Sequence, residues 1–372
     1  MSSLPPPPVI PYATRPQWNP SQIVVKTCAP QPMFKNAVYY PNWRVYRGET
    51  PAMLNLSNIS HVFYAFAHIG TDGSVNLSDV WADKQIPVDG TTGCMDSFTC
   101  LKKRYSHLKL ILSIGGGGAS QNFPCMASNT ATRDNFACSA KSLIDASGFD
   151  GIDIDWEHPS DFEQGRDFLA LLATVRSKLP SDRYLLTAAL PAGEWALKNI
   201  DLFQAQKYLD MVNVMAYDFF GPWSSRSGHH AQLYSGASNE ASGASAVEYM
   251  ISKRFPPAKI VLGIPAYGRS FLCANGPGQK YNGTGGEEGT FEYKQLPRPN
   301  CREYVDTKVV AASCIGADGG FVSYDNPETV RAKARFCREK ALAGLFYWTG
   351  TADVTPSLRS LILTGFKALH GQ

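Results

Sequence analysis

Four carboxylic acids stand in one short, otherwise apolar run of the sequence, FDGIDIDWEHP at positions 149–159. Charged side chains are seldom fully buried unless they are paired, and two like charges a few ångströms apart raise each other's pKa. If the run is a strand, Asp153, Asp155 and Glu157 share one face at spacings of roughly 6–7 Å. In a confined interior, at least one of them should keep its proton near neutral pH, which is the property of a general acid.

Parity separates the fourth carboxylate from this row. Asp150 falls on the opposite face, so it is expected to act structurally at the start of the strand. Two other interpretations of the row remain open, a salt-bridged strand edge and a Mg²⁺ or Ca²⁺ site, although no further cluster of Asp, Asn or Glu is obvious. Glu157 is outermost at the carboxyl end of the run and is the candidate acid.

Eight short runs rich in Val, Ile, Leu and Tyr recur at intervals that suit alternation with helices. Nearly continuous apolar strands alternating with helices are typical of a parallel sheet, and eight such units predict an α/β fold, a (β/α)8 TIM barrel. Barrel enzymes build their sites at the carboxyl ends of the strands, which is where Glu157 would lie. The predicted strands are residues 38–43, 61–69, 108–116, 149–157, 184–191, 211–218, 259–267 and 344–349.

The helical signals and one long connection complete the predicted organisation. Residues 161–179 repeat apolar side chains at helical spacing, and Asn326-Pro327-Glu328 predicts a capped helix that ends near Gly344. The connection from 268 to 325 is too long for a bare loop, and we predict that it forms a small α+β domain inserted between strands 7 and 8. The predicted domains are a Pro-rich leader at 1–34, a barrel at 35–270 and 322–372, and an insertion at 271–321.

Composition limits the expected partners. The net charge is +3 and the basic residues are scattered, so nucleic acid is not expected to bind. No apolar run approaches the roughly 20 residues that span a bilayer, so no membrane partner is expected. The nine cysteines include no C-x-x-C pair, so we expect neither a metal site nor a cofactor.

The amino terminus, MSSLPPPPVIPYATRPQWNP, has no basic start, apolar block or cleavage-site pattern. It predicts an extended or disordered leader, and therefore a cytoplasmic or non-classically released protein, unless this end has been altered from a secreted form. Glycosylation sequons at Asn55, Asn58, Asn76 and Asn282 would suit secretion, but short sequons often arise by chance. The compartment stays open.

The octapeptide DGIDIDWE at 150–157 resembles the signature of glycoside hydrolase family 18, the chitinases. Three further motifs resemble those of the family's third, sixth and seventh strands: SIGG at 113–116, MAYD at 215–218 and YGRSF at 267–271. The resemblance extends from about residue 37 to residue 369, and it includes the inserted domain of the subgroup with deep clefts. It implies a retaining hydrolysis in which the substrate supplies the nucleophile.

The resemblance also implies roles for single residues. Glu157 would protonate the glycosidic oxygen and later activate water, while the 2-acetamido carbonyl of the substrate attacks the anomeric carbon. Asp155 would orient the acetamido group, and Asp153 would exchange a proton or hydrogen bond with Asp155. Tyr217 would donate its hydroxyl to the acetamido carbonyl, and Asp218 would contact the same sugar.

Aromatic side chains at strand ends would supply the flat surfaces on which sugars pack. By resemblance, Trp348 forms the floor of the subsite for the distorted sugar, Arg269 lies beside Asp218, and more distant aromatic rings stack further sugars. An isolated aromatic residue is more often part of a core, but the coincidence of several with strand ends favours binding. The predicted substrate-binding residues are Tyr39, Trp43, Phe66, Gly116, Met215, Asp218, Trp223, Tyr267, Arg269 and Trp348.

The glycine run at 115–118 lacks the endings of a P-loop or a dinucleotide fingerprint, so it is not predicted to bind phosphate. These glycines are expected to let the backbone pass close to the catalytic strand. Many relatives carry Trp directly after the two glycines of the SIGG motif, on the leaving-group side, and this chain has Gly117. Weak binding on that side is expected, and with it short runs on crystalline chitin.

Three functions fit these motifs. The favoured one is a monomeric, endo-acting chitinase that cleaves β-1,4-linked N-acetylglucosamine polymers. A non-catalytic chitin-binding protein of the same fold usually lacks the acid, which is present here as Glu157. An endo-β-N-acetylglucosaminidase acting on N-glycans shares the motif but usually lacks the insertion.

Overall fold

Eight parallel strands close into a barrel in the computed structural model, which describes residues 34–238, 240–316, 318–355 and 357–372. Nearly all of the predicted leader, residues 1–33, lies outside the described residues. The first strand pairs with both the second and the eighth, through Ala37 opposite His61 and Val38 opposite Tyr347, so the sheet has no open edge. The barrel strands are Lys35–Pro41, His61–Ile69, Lys109–Gly115, Gly151–Asp155, Leu185–Pro191, Met211–Met215, Ile260–Pro265 and Gly344–Trp348.

Each of the eight predicted runs corresponds to one of these strands, and the TIM barrel prediction is confirmed. Their ends differ by a few residues. The first run was predicted to reach position 43, but the strand ends at Pro41. There, Asn42 donates to Ser78 Oγ and Asp83 Oδ1, and a 3-10 helix, Asn42–Arg47, begins. The sixth strand likewise ends early, at Met215.

Alternation along the strands divides the apolar side chains between two cores. Ile152 and Ile154 face outward into the layer between strands and helices, and Trp156 stacks on Phe123 there with ring centroids 5.3 Å apart. The inward layer is smaller, because polar side chains occupy part of the barrel interior. Its fully buried apolar members are Ala37, Tyr39, Phe63, Ala65, Ile111, Met211, Val261 and Phe346.

Helices cover the outside of the barrel, and the two with clear sequence signals form as predicted. Asp161 caps one by accepting from Gln164 N, and Asn326 caps the other by accepting from Glu328 N and Thr329 N. The helices are Cys94–Arg104, Phe123–Ser128, Thr130–Ser147, Phe162–Lys178, Glu194–Leu197, Leu202–Ala205, Gly243–Ser252, Pro327–Glu339 and Leu361–Leu369. None of those in the described part of the chain is both long and apolar enough to cross a membrane.

A separate antiparallel sheet of five strands lies between the seventh and eighth barrel strands. Its strands are Tyr267–Phe271, Thr290–Glu292, Glu303–Asp306, Ala311–Gly316 and Gly320–Tyr324, with a 3-10 helix at Tyr293–Gln295. The sheet therefore begins before residue 271 and ends after residue 321. An insertion at this point was predicted, and its treatment as a separate domain with those limits stays a prediction.

Asp150 has the structural role expected from its parity. Its carboxylate accepts hydrogen bonds from Lys102 Nζ at 2.6 Å and from the backbone N–H of Leu110 at 2.8 Å. Asp150 thereby ties the start of the fourth barrel strand to the third strand and to the helix Cys94–Arg104. This contact fixes the register from which the other three carboxylates project inward.

Candidate active site

The three remaining carboxylates rise along the fourth barrel strand from its interior to its mouth. Asp153 is fully buried, Asp155 is 3% exposed, and Glu157 lies two residues beyond the end of the strand in a partly exposed position. The backbone N–H of Glu157 donates to Ser120 Oγ at 2.9 Å, which fixes the start of the loop. The row therefore places a single acid, Glu157, within reach of a ligand in the cleft.

Asp153 is held by three hydroxyl groups. Its oxygens accept from Tyr39 Oη at 2.8 Å, Ser113 Oγ at 2.8 Å and Thr187 Oγ1 at 2.6 Å. Asn213 in turn donates to Tyr39 Oη at 2.9 Å. Burial raises the pKa of Asp153, and the three donors only partly oppose that rise. The predicted exchange of a proton with Asp155 stays a prediction, since the contacts to Asp153 all come from these hydroxyls.

Asp155 is the least satisfied member of the row. Its Oδ1 atom is buried and has no hydrogen-bond partner among the described residues. Burial, followed by the charges of Glu157 and Asp153, raises the pKa of this carboxyl well above its usual range. A buried polar atom without a partner is costly, and such atoms concentrate where a ligand completes the bonding.

Glu157 and Asp218 are two carboxyls whose pKa values are pushed apart. Burial and then the charge of Asp218 raise the pKa of Glu157, against one hydrogen bond from the N–H of Gly117. Burial also acts on Asp218, but hydrogen bonds from His230 and Arg269 outweigh it and lower its pKa. An acid whose pKa is raised by burial and by a neighbouring anion suits general acid catalysis.

Asp218 is anchored by the insertion and has a backbone φ of 59°, which Asp adopts more readily than most residues. Tyr267 Oη donates to it at 2.8 Å, and Arg269 forms a fork with distances of 2.8 Å and 2.7 Å. Tyr217 is half-buried and packs edge-on against Tyr267, with ring centroids 6.2 Å apart. Burial raises the pKa of Tyr217 well above its usual range, so its hydroxyl stays a donor.

The aromatic residues form layers at the mouth of the barrel. Trp348 stacks on Phe66 at 5.8 Å and meets the ring of Tyr39 at 5.5 Å. Tyr39 was predicted to line the sugar subsite, but it is 2% exposed and its hydroxyl is bonded to Asp153. Tyr39 therefore supports Asp153 from within, while Trp348 faces the cleft. Trp43 and Trp223 are 44% and 60% exposed and flank the mouth.

A cavity of about 720 Å³ lies next to Asp218. Asp218, Tyr267 and Arg269 line it at one end together with Trp348. Its walls continue along the 3-10 helix Asn42–Arg47 and along the insertion between residues 286 and 298. A cavity lined by carboxylates and by the aromatic rings of Trp43, Tyr267 and Trp348 suits the binding of sugars.

The sequence profile described as Glycosyl hydrolases family 18 matches residues 35–353, which is most of the chain. The chain belongs to glycosyl hydrolases family 18. Among family members, Chitinase 1 of Aphanocladium album is 37% identical over 367 residues, which cover 91% of this chain and 86% of that protein. Endochitinase 1 of Metarhizium robertsii is 38% identical over 366 residues, with the same coverage of 91% and 86%.

Solved structures of the same family superpose closely on this one. The Group IV chitinase of Ostrinia furnacalis has a TM-score of 0.83 at 28% identity, covering 91% of this chain and all (100%) of that one. A family 18 chitinase from Cycas revoluta, solved in complex with (GlcNAc)3, has a TM-score of 0.80 at 28% identity and covers 90% and 99% of the two chains.

The glycine run of this family 18 chain permits close approaches, as predicted. A Cβ on Gly115 would lie 2.3 Å from the backbone oxygen of Asp155, and one on Gly116 would lie 2.7 Å from the ring of Phe66. Both glycines also have positive φ, 111° and 86°. A side chain at either position would displace the catalytic strand or Phe66.

Three polar residues that hold the row were not predicted from the sequence: Ser113, Thr187 and Asn213. Ser113 and Thr187 are the direct register neighbours of Asp153 on the third and fifth strands. Each of the three is a polar residue at an inward-facing position of a barrel strand, and this pattern in the sequence could have identified them. Met215 is half-buried and packs against the inner core, among the residues that surround Tyr217.

Asp155→Asn is expected to stabilise the fold by about 1 kcal/mol or more at neutral pH, because it removes a buried carboxyl that has an unpartnered oxygen. The raised pKa of Asp155 sets the direction of the pH dependence of wild-type stability. The neutral carboxyl is tolerated in the folded protein at low pH, and folding stability is lost as the pH rises through the folded-state pKa and the carboxyl ionises. The advantage of the variant should therefore be smallest near pH 4 and grow with pH. Denaturant midpoints measured across this range test it.

Asp150→Asn is the matched control for this stability series. It removes the negative charge that pairs with Lys102 and should destabilise the protein instead. An Asp155→Asn variant that is no more stable than wild type at pH 7 would contradict the prediction.

Proposed function

We propose that this family 18 protein is a chitinase that hydrolyses β-1,4-linked N-acetylglucosamine polymers with retention of the anomeric configuration. The observation that carries the proposal is the position of Glu157, an acid with a raised pKa, at the mouth of the barrel above the buried Asp155, whose Oδ1 has no partner among the described residues. Chitinases with 37% and 38% identity, and the oligomer bound in the Cycas revoluta relative, support the choice of substrate.

In the proposed first step, Glu157 gives its proton to the glycosidic oxygen as the bond to the anomeric carbon breaks. The carbonyl oxygen of the substrate's 2-acetamido group attacks that carbon and forms an oxazolinium ion, which is the substrate-assisted route of this family. Asp155 accepts the hydrogen bond of the acetamido N–H, and Tyr217 donates its hydroxyl to the carbonyl oxygen. The leaving chain departs as a neutral alcohol.

In the second step Glu157, now a carboxylate, takes a proton from a water molecule that attacks the anomeric carbon. The oxazolinium ring opens, the acetamido group is restored, and Glu157 ends protonated. Two displacements on one carbon give net retention. The fixed charge of Asp218 helps to return the proton to Glu157, since it raises the pKa of that group.

The proposed enzyme is an endo-acting monomer, and the similarity to Endochitinase 1 of Metarhizium robertsii supports the endo-acting part of this proposal. Cleavage of N-acetylglucosamine oligomers of defined length, with the anomer recorded at early times, tests the proposal. Products should appear first as the β-anomer. Early α-anomer would overturn retention, and failure to cleave any oligomer despite binding would favour a chitin-binding protein. Release of N-glycans without oligomer cleavage would favour an endo-β-N-acetylglucosaminidase.

Gly117→Trp is expected to strengthen binding on the leaving-group side. A Cβ at position 117 would lie 3.4 Å from Glu157 Oε2, so a side chain there faces the acid, and the positive φ values of the run fall on Gly115 and Gly116 instead. An indole stacked on a sugar should contribute about 0.5–1.5 kcal/mol, or roughly two- to twelve-fold in affinity. Oligomers long enough to fill that side should show the gain, and short ones should not.

Affinity measured beside melting temperature tests this variant. Gly118→Trp is the control, because a Cβ at position 118 would meet no atom within 4 Å. An unchanged melting temperature with no length-dependent gain would show that position 117 does not serve a sugar.

A further inference from the structure

A charged contact joins the two walls of the cavity at its outer edge. One wall carries Arg47, the last residue of the 3-10 helix Asn42–Arg47, and the other carries Glu287 of the insertion. Arg47 Nη2 lies 3.1 Å and 3.2 Å from the two carboxylate oxygens of Glu287. Both residues line the same cavity, and their contact forms a bridge that joins the segment following the first barrel strand to the insertion at that point.

A second, inner layer of charges lies beneath this contact. Arg44 donates to Glu49 and to Glu292 at 2.5 Å each, and Lys294 contacts the same two carboxylates at 2.5 Å and 2.8 Å. The Arg44 and Glu49 side chains are largely buried, and breaking one partner out of a buried pair costs about 3–5 kcal/mol. The inner layer is therefore a permanent part of the wall.

The outer contact is different because it is exposed. The side chains of Arg47 and Glu287 are 51% and 74% exposed. Exposed ion pairs contribute about 0–1 kcal/mol and are screened by salt. Arg47 also lies 3.5 Å from Glu292 of the inner layer, so the contact that can open at little cost is the one between Arg47 and Glu287, while the inner wall stays closed.

Glu287 is presented by a rigid turn. Glu287 and Thr290 exchange backbone hydrogen bonds of 3.0 Å and 2.9 Å around Glu288 and Gly289, whose φ values are 51° and 81°. Two positive φ values are those of a type I′ turn, which forms tight hairpins. Opening the bridge therefore needs rotation of two side chains and no rearrangement of the backbone.

The bridge lies on the glycon side of the cleavage point. The same cavity is lined by Asp218 and Trp348, which surround the sugar whose acetamido group reaches Asp155 in the proposed mechanism. Position 117, beside Glu157, marks the opposite, leaving-group side. A chain that continues past the glycon sugars must therefore pass the bridge.

We propose that Arg47 and Glu287 form a clasp that sets how the cleft receives its polymer. The closed clasp favours the non-reducing ends of chains, and the open clasp admits chain interiors. This inference rests on the proposed chitinase function, since it concerns the substrate of the same site. According to this inference, the side chains of Arg47 and Glu287 determine how often the enzyme cleaves at chain ends and how often it cleaves within the chain.

The test compares loss of viscosity with new reducing ends on a soluble, partially acetylated chitin polymer. Glu287→Gln and Arg47→Gln should each raise the ratio of viscosity loss to reducing ends by about two-fold or more, the scale of an exposed pair. The exchanged double variant, Arg47→Glu with Glu287→Arg, should return the ratio to that of the wild type. Added salt should raise the ratio of the wild type and leave that of the single variants unchanged.

Glu248→Gln is the matched control, because it breaks another exposed pair, Lys340 with Glu248 at 3.0 Å, on the outer helices. Its ratio should equal that of the wild type. Single variants with the wild-type ratio, or an exchanged double that behaves like them, would overturn the clasp. So would a rise in KM with an unchanged ratio, which would make the pair ordinary sugar contacts. A wild type that cleaves no acetylated polymer would refute the chitinase proposal itself, before any variant is compared.

Discussion

Glu157→Gln should lower turnover of N-acetylglucosamine oligomers by about 10²–10⁴-fold or more, the contribution of a positioned general acid and base. Glutamine has nearly the same shape but can neither give a proton to the glycosidic oxygen nor take one from water. Asp155 and Asp153 are too deeply buried to replace it. Initial rates on a defined oligomer, measured at several pH values, test the prediction.

The loss should occur without loss of the fold or of binding. The Glu157 side chain is partly exposed, and its backbone contact to Ser120 does not depend on the carboxylate. Oligomer affinity by calorimetry and the melting temperature should therefore stay near their wild-type values. Glu163→Gln, an exposed glutamate in the first turn of the neighbouring helix, is the matched control and should keep full activity. Retention of more than a few per cent of wild-type turnover by Glu157→Gln would contradict the assignment.

The pH profile of the wild-type enzyme should also show that activity depends on the proton of Glu157. Catalysis needs a protonated Glu157, and its raised pKa extends the protonated form to higher pH than an ordinary glutamate allows. Activity should therefore fall on the alkaline side as that proton is lost. The anion of Asp218 contributes to this rise, since hydrogen bonds from His230 and Arg269 lower the pKa of Asp218.

The barrel was predictable from the sequence because its strands are short, apolar and separated by helical patterns. Strand ends were harder, as the first strand shows. The apolar pattern continues past Pro41, but Asn42 bonds to Ser78 and Asp83 from distant parts of the chain and turns the backbone into a 3-10 helix. No local propensity contains those contacts. The insertion was located for a related reason, since a long stretch without helical or alternating pattern cannot be a bare loop.

The site residues were predictable from the sequence where strand parity and the family motifs identify them. Parity gave the inward row and separated Asp150 from it, as the structure confirms. Strand parity shows which face a side chain lies on, but it does not show how deep in the barrel the side chain is. For this reason Tyr39 was predicted to line the sugar subsite, although its hydroxyl donates to Asp153. The clasp could not be predicted at all, because Arg47 and Glu287 are 240 positions apart and meet only when the insertion folds against the barrel.

Fully deacetylated oligomers should bind in the cleft and resist cleavage. The geometry leaves no protein nucleophile, because Asp155 is 3% exposed and Asp153 is bonded to three hydroxyl groups at the base of the barrel. An amino group in place of the acetamido group cannot form the oxazolinium ion, so the proton from Glu157 is of no use. The expected result is a loss of turnover comparable to that of Glu157→Gln, with binding retained through the aromatic walls.

A partially acetylated oligomer makes the comparison within one molecule. Cleavage should occur only at bonds whose glycon sugar is acetylated, and mass analysis of the products identifies that sugar. A thiazoline analogue of the cyclic intermediate should inhibit competitively, because its ring nitrogen takes the place of the acetamido nitrogen beside Asp155 and its sulfur takes the place of the carbonyl oxygen beside Tyr217. Efficient cleavage after an unacetylated sugar would mean that a carboxylate attacks directly. That outcome would require Asp155 to move from its buried position, and it would therefore contradict both the proposed mechanism and the depth at which the fourth barrel strand holds this residue.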